Sequence, residues 1–348
     1  MGLMSGTSMD GVDAALIFTD GEQLIREHEN ISLDYPDAAK ILFKAAERAV
    51  KTFQGNLKQA EEHYLESLLR YLGENLGIEE AEIPLKINEL SNYLGKPIGF
   101  LAVIELSTHF HVQAVKQLLE KAGKSAREID VIGYHGQTVF HDPGNHLTIQ
   151  LGDGQALAEL TGITVVNDFR TRDVLAGGQG APFAPIYHQA LAVRDELELP
   201  LVVVNCGGIA NVSVISDRNP ENLIGFDTGP GNGLIDRWVK FKTSGEMSMD
   251  LHGALGLSGK VHETLLQALY EKSLIKAGQN YFDLLPPRSL DINDMEWIPE
   301  LLALSLEDGS ATLEAFTAMT IVDSLKFLPK LGCPKIPRTW ILAGGGLE

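Results

Sequence analysis

Twice in this chain an apolar strand pattern runs into a tight turn and returns as a second apolar strand, once at residues 2–18 and once at 199–215. In the first, Gly6 and Gly11 bracket Thr7, Ser8, Met9 and Asp10, and Val12 and Asp13 open the return strand. In the second, the turn is Asn205-Cys206-Gly207-Gly208. Glycine has no Cβ, so its backbone can bend sharply and lie against a ligand. Turn N–H groups beside two hydroxyls form a cup for anionic oxygens. One such hairpin alone reads more simply as a common Asp-Gly turn. Two of them constrain the fold further, to two related α/β domains facing one phosphate chain. Asp10 and Asp13 carry the wrong charge to touch phosphate, but suit a phosphate-bound Mg²⁺ or the water in its shell.

A length of 348 residues agrees with two domains, with the boundary expected just before Pro200, giving 1–198 and 199–348. The net charge of −19 disfavours nucleic acid and anionic membranes, which need clustered Lys and Arg. An anionic nucleotide would then rest on backbone amides, helix N-termini and a metal. Two cysteines, Cys206 and Cys333, exclude a disulfide framework and fit a reducing compartment. No apolar run approaches the ~20 residues of a membrane span, and no basic leader precedes the first strand. A cytoplasmic enzyme is the default expectation.

Helical spacing of apolar residues predicts helices over 38–50, 57–76, 106–122, 156–160, 234–240, 255–274 and 311–328. Apolar runs predict strands at 130–134, 147–151, 163–166, 223–226 and 338–343. Polar groups at strand ends are where open α/β sheets hold ligands. Three stretches qualify. The first strand delivers His135 and Gln137, with His141 further on; their spacing matches no zinc pattern, so hydrogen bonding to a substrate is the expected role. The third delivers Asp168, Arg170, Arg172 and Asp173, then the loop Gly177-Gly178-Gln179-Gly180. This group reads either as a salt-bridge cluster at a domain seam or as a site whose arginine grips a carboxylate with a bidentate fork. The fourth delivers Asp227 before Gly229-Pro230-Gly231. It suits a general base or a metal-water ligand, and equally a turn or helix cap. Gly344, Gly345 and Gly346 end the last strand as another ligand loop.

Together these stretches resemble the anhydro-N-acetylmuramic acid kinase family, of the sugar-kinase, Hsp70 and actin superfamily. The carrying segments are residues 6–13, His135-Gly136-Gln137-Thr138, Asp168-Phe169-Arg170 with Asp173, 177–182, 205–211, 225–232, Pro286-Pro287-Arg288-Ser289 and 311–317. The resemblance implies two ribonuclease-H-like α/β domains with an interdomain ATP cleft. Residues 1–198 would carry the phosphate hairpin and the sugar-binding elements, and 199–348 the nucleotide-binding domain. It implies the first turn, Gly6 to Asp13, on the β- and γ-phosphates, Gly207 and Gly208 on their other side, and Gly344 and Gly345 on adenosine. His135, Gln137, Asp168 and Arg170 are its substrate-contact candidates, and Asp10 supports Mg²⁺. Asp227 is the expected base, with Asp168 and Asp173 as rivals.

The implied reaction consumes ATP to open 1,6-anhydro-N-acetylmuramate with water and phosphorylate its 6-oxygen, in peptidoglycan recycling. A homodimer is suggested on the same ground. Family members are expected to continue for several dozen residues past the triple glycine, so a chain lacking its C-terminal tail is part of the reading. Two alternatives stand beside the kinase: a nucleotide-binding protein of the same fold without activity, and a sugar kinase acting on a free hydroxyl.

Overall fold

The computed structural model describes all residues except Thr7, Ser8, Gln23, 273–278, Ser289, 291–294, Glu296 and Glu348. Two of the expected phosphate contacts, Thr7 and Ser8, therefore lie outside the described residues. The chain divides into two compact units, Met1–Ala181 and Pro182–Glu348.

The first unit is built on β1 (Gly2–Ser5), β2 (Gly11–Thr19), β3 (Ile25–Asp34), β4 (Ile132–Asp142), β5 (Leu147–Leu151) and β6 (Val165–Asn167). β1, β2 and β3 form an antiparallel meander. β4 lies parallel to β1 and β6 parallel to β4, while the later half of β4 pairs antiparallel with β5. Strand alternation sends Leu3, Val12, Ala14 and Leu16 into the core. Two helices supply its other half. In Asp37–Thr52, Ala39, Leu42, Phe43, Ala46, Ala49 and Val50 are buried at helical spacing. The helix Phe100–Ala122 ends where Gly123 turns left-handed, at φ +63°. A fully buried Phe43 side chain contributes roughly 1.5–3 kcal/mol.

The second unit repeats the strand order. β7 (Leu201–Cys206), β8 (Ile209–Ile215) and β9 (Ile224–Pro230) form a meander. β10 (Thr339–Ala343) lies parallel to β7, as β4 does to β1. Val202, Val204, Val212, Val214 and Phe226 pack with Leu325 and Leu328. A second cluster joins Trp238, Tyr281, Phe282, Leu313 and Phe316. Trp238 sits on the helix Gly233–Lys242, and its Nε1 donates to Leu306 O at 2.9 Å. Gly309 is the floor for its ring, since a Cβ there would lie 2.2 Å from ring atoms.

Several elements depart from expectation. The predicted helix over 57–76 is interrupted at His63 (φ −110°), giving Leu57–Glu62 and Tyr64–Arg70 and then a wide turn, Tyr71–Asn75. The strand expected at 130–134 runs on to Asp142, so the His135–Thr138 stretch is strand and not loop. β3 and the helices Ile83–Leu94 and Ala184–Arg194 carry no strong sequence period. The last of these stands in the second unit, ahead of the boundary expected before Pro200. It is held there by His188 Nδ1 against Ser213 Oγ (2.8 Å) and by Gln189 Nε2 donating to Asp217 O (3.0 Å). Among the described residues no helix is long and apolar enough to cross a membrane.

Candidate active site

The first turn is drawn in by three bonds. Met9 N donates to Gly6 O at 3.1 Å. Gln137 Nε2, from β4, donates to the same carbonyl at 2.8 Å. Tyr35 N donates to Asp10 O at 2.7 Å. Met9 is fully buried with φ +60°, so it anchors the turn to the core and leaves Asp10 exposed. The glycine at Gly11 answers to strand pairing, since a Cβ there would lie 2.4 Å from Leu33 O. Val12 is core, and the Asp13 carboxylate accepts from Ser32 Oγ on β3. Gln137, read from sequence as a sugar contact, is fully buried and spends its amide on the turn.

Beside that turn β4 carries a bulge. Its register with β1 steps from Leu3↔Tyr134 to Ser5↔Gln137, three residues along β4 for two along β1. Bulges re-aim side chains next to sites. Here Gly136 takes φ +70°, and a Cβ there would lie 2.7 Å from Leu151 O. The bulge turns His135 towards Arg170, whose Nε donates to His135 Nε2 at 3.0 Å. The other ring nitrogen, Nδ1, faces Gly136 O at 2.7 Å. Burial, then the Arg170 charge, push the His135 pKa down to about 4, so the ring is neutral, with its proton on Nδ1. The β4–β6 pairing ends at Tyr134↔Asn167, one residue before His135 on one strand and Asp168 on the other. Asp168 is exposed and left-handed, at φ +58°, a conformation that Asp tolerates better than most residues.

The glycine loop folds back over this corner. Gly180 N donates to the Asp173 carboxylate at 2.7 Å, and Arg170 donates to Gly180 O. Gly178 lies so close that a Cβ would meet the Asp173 carboxylate at 2.1 Å. Asp173 is thereby committed to the loop. His141 is half-buried against Thr148 Oγ1 (3.0 Å), its pKa lowered by burial and then by Arg170. Neither His135 nor His141 has the partners of a metal ligand, and among the described residues no group of three His, Cys, Asp or Glu could hold an ion.

In the second unit the hairpin turn is pinned from behind. Asn232 N donates to Gly207 O at 2.9 Å, and Gly231 N to Gly208 O at 3.0 Å. A Cβ on Gly231 would lie 2.0 Å from Gly207 O, and one on Gly344 (φ +100°) 2.3 Å from Cys206 O. Those two glycines serve internal packing. Gly208 and Gly345 have nothing within 4 Å of a built Cβ, and Gly207 only atoms beyond 3.6 Å. Each leaves open space that a side chain would occupy. Cys206 is buried beneath Gly344 and Gly346, and burial raises its thiol pKa. It is a small packing residue and not a nucleophile.

Asp227 lies on β9 at another bulge, where pairing steps from Ala210↔Gly229 to Asn211↔Asp227. Its Oδ2 accepts from Leu290 N at 3.0 Å. Burial pushes its pKa up to about 6, against the Leu290 bond and the Arg288 charge, which lower it. Its carbonyl accepts from Arg288 Nε (3.1 Å) and Tyr281 OH (2.8 Å). Two residues escaped the sequence reading. Arg288 stands in the segment 286–289, to which the sequence assigns no role. Asp236, on the first turn of the helix Gly233–Lys242, also has its pKa pushed up to about 6 by burial, and only its position after Gly231-Asn232-Gly233 hinted at it.

As for the implied groups, the open sides of Gly207, Gly208 and Gly345 in the second unit leave room for a nucleotide. Mg²⁺ on nucleotide phosphates needs only one or two protein carboxylates, and the exposed Asp10 is a hard oxygen donor of that kind.

A family model described as anhydro-N-acetylmuramic acid kinase matches residues 99–348. The anhydro-N-acetylmuramic acid kinase of Zymomonas mobilis subsp. mobilis is 41% identical over 347 residues, 99% of this chain and 80% of that protein. That of Rhizorhabdus wittichii has the same identity and coverage. That of Brucella abortus is 38% identical over 351 residues, 99% of this chain and 79% of that protein.

Proposed function

The chain belongs to the anhydro-N-acetylmuramic acid kinase family, and on that premise we propose that it opens 1,6-anhydro-N-acetylmuramate hydrolytically and phosphorylates the freed 6-oxygen at the expense of ATP. Peptidoglycan recycling in the cytoplasm is the setting this reading assigns. Each unit contributes a ribonuclease-H-like sheet and one phosphate hairpin, the first at Gly6 to Asp10 and the second at Gly207 and Gly208. Gly345 is assigned to adenosine.

The substrate has no free 6-hydroxyl, because that oxygen bridges to the anomeric carbon. Water adds to the anomeric carbon, the bond from that carbon to the bridging oxygen breaks, and the oxygen takes the γ-phosphoryl group. ADP leaves, and the proton of the water passes to a base. Mg²⁺, held from Asp10, supplies charge neutralisation on the phosphates. Arg170 grips the lactyl carboxylate, and neutral His135 orients the guanidinium.

The observation that carries the reading is the end of the β4–β6 pairing in the first unit, where exposed Asp168 follows Asn167 and His135, bonded to Arg170, follows Tyr134. A base must reach the attacking water next to the sugar. Asp168 shares a strand end with the sugar-contact candidates, whereas the Asp173 carboxylate is bonded to Gly180 N. We therefore assign Asp168 as the base. A second reading, Asp227, is favoured by its pKa of about 6, nearer the operating pH of a base.

The test is ADP release with the anhydro sugar, with the product identified as N-acetylmuramate 6-phosphate, for the wild type, Asp168→Asn and Asp227→Asn. Loss of about 10²-fold or more in Asp168→Asn alone supports the assignment. Loss in Asp227→Asn alone moves the base there. ADP release that ignores the anhydro sugar, or needs a free hydroxyl, removes the proposed reaction.

A further inference from the structure

The carbonyl of Gly136 is the point where the two halves of the first unit's site touch. It accepts from Ser5 Oγ, the last residue of β1 before the phosphate turn, at 3.2 Å. It also accepts from His135 Nδ1–H at 2.7 Å. A carbonyl has two lone pairs, and this one takes a side-chain donor from each side. One residue further along, Gln137 Nε2 donates to Gly6 O at 2.8 Å. On the opposite flank Arg170 Nε donates to His135 Nε2 at 3.0 Å. The line from Arg170 to Gly6 thus runs through four hydrogen bonds and one strand bulge. Ser5 and Gln137 are both buried to within 1%, so water does not compete for these bonds.

Burial also narrows what the line can do. His135 is neutral and can offer Arg170 only its Nε2 lone pair while Nδ1–H stays on Gly136 O. Moving Arg170 by a carboxylate ligand therefore shifts the ring and, with it, the carbonyl that holds Ser5. Gly136 has no slack, being left-handed and closed in by Leu151 O.

We propose that Ser5 and Gln137 are positioning residues that couple the two substrates: a carboxylate on Arg170 sets the Gly136 bulge, and the bulge sets the phosphate turn at Gly6, so that sugar and nucleotide each tighten the other's binding. The inference rests on the proposed function for the identity of the two ligands, and goes beyond it in predicting that the sites are energetically linked and through which atoms.

The experiment is calorimetric titration of the full chain with ADP and Mg²⁺, with and without saturating 1,6-anhydro-N-acetylmuramate. Couplings between linked sites typically run about 5- to 150-fold, and in the wild type the sugar should lower the ADP Kd by about 5-fold or more. In Ser5→Ala/Gln137→Leu the sugar alone should bind within about twofold of wild type, while the coupling falls towards 1. Ser5→Ala by itself, which removes one hydroxyl, should lose part of the coupling, and Ser5→Thr should restore it. A merely structural role would weaken both ligands alike and leave the coupling intact. Undiminished coupling in folded variants, or a wild type that binds both ligands independently, overturns the inference and leaves the kinase reading standing. A wild type that binds neither ligand removes the kinase reading itself.

Discussion

Arg288 bonds Asp227 at its main chain, and its charge is the smallest of the influences on the carboxylate. The guanidinium Nε donates to the Asp227 carbonyl at 3.1 Å, while the carboxylate takes its bond from Leu290 N at 3.0 Å. The remaining donors go to the carbonyls of Tyr281, Leu284 and Thr228. The rings of Tyr281, Phe327 and Phe226 stand 4.6, 5.1 and 5.8 Å from the guanidinium carbon. At 9% exposure this arginine is a scaffold joining β9 to the segment 281–290.

Removing it should cost fold before chemistry. Arg288→Met takes a donor from four carbonyls, of which Asp227 O keeps Tyr281 OH, and each buried polar group left unmade costs about 1–3 kcal/mol. Part of that is recovered by water, so a loss of roughly 3 kcal/mol or more is expected in urea unfolding. Arg288→Lys should recover less than half, because an ammonium cannot reproduce the planar fork. A stability within about 0.5 kcal/mol of wild type would show that the carbonyls do not depend on it.

Asp227 should make stability fall as pH rises. Its folded pKa of about 6 lies above the 3.8 of a free Asp, so the folded state binds the proton more tightly. The stabilisation is complete below about pH 3.8 and is lost on passing pH 6. Asp227→Asn should therefore gain on wild type by on the order of 1–3 kcal/mol at pH 8 and lose that advantage near pH 4. His111 and His135 act with the opposite slope. Both are held down to about 4 from 6.5, mainly by burial, and each draws stability away as pH falls between those values. Chemical denaturation of wild type and Asp227→Asn from pH 4 to 8 separates the two; parallel curves would contradict the buried carboxylate.

How much of this was legible in the sequence depends on what each feature needs. The hairpins at Gly6 and Gly207 showed themselves because apolar strands and glycines stand in a local pattern. So did the placement of Arg170 and Asp168 just after a strand. The bulge at Gly136 was hidden, since it arises from register between β1 and β4, strands far apart in the chain. The bond of Gln137 to the turn was hidden for the same reason: its partner, Gly6 O, is 131 residues away. Glycine counts also mislead, because Gly231 and Gly344 make room for carbonyls and Gly208 and Gly345 make room for nothing in the protein. Only coordinates separate those two uses. β3 was missed because it lies at the sheet edge with charged residues on its open face, which erases the apolar signal.

Arg170 should be irreplaceable by lysine. It already bonds His135 Nε2 and Gly180 O, and a carboxylate would need a further paired set of donors, which only a guanidinium supplies. Arg170→Lys is expected to raise KM for the anhydro sugar by about 10-fold or more while leaving KM for ATP within a few-fold. Equal rises in both constants would assign Arg170 to the fold and not to the sugar.

The open and closed glycines should respond in opposite ways to one added methyl. At Gly208 a Cβ meets nothing within 4 Å and the backbone is not left-handed. Gly208→Ala should therefore fold with a Tm near that of wild type, yet bind ADP about 10-fold more weakly or worse, because the methyl occupies the side assigned to phosphate. At Gly344 the same atom would lie 2.3 Å from Cys206 O with φ at +100°. Gly344→Ala must push β10 and β7 apart, and a loss of about 1–3 kcal/mol is expected. Measuring Tm and ADP affinity on both variants checks the division: a destabilised Gly208→Ala, or one that binds ADP normally, would mean that its open side is not a ligand cradle.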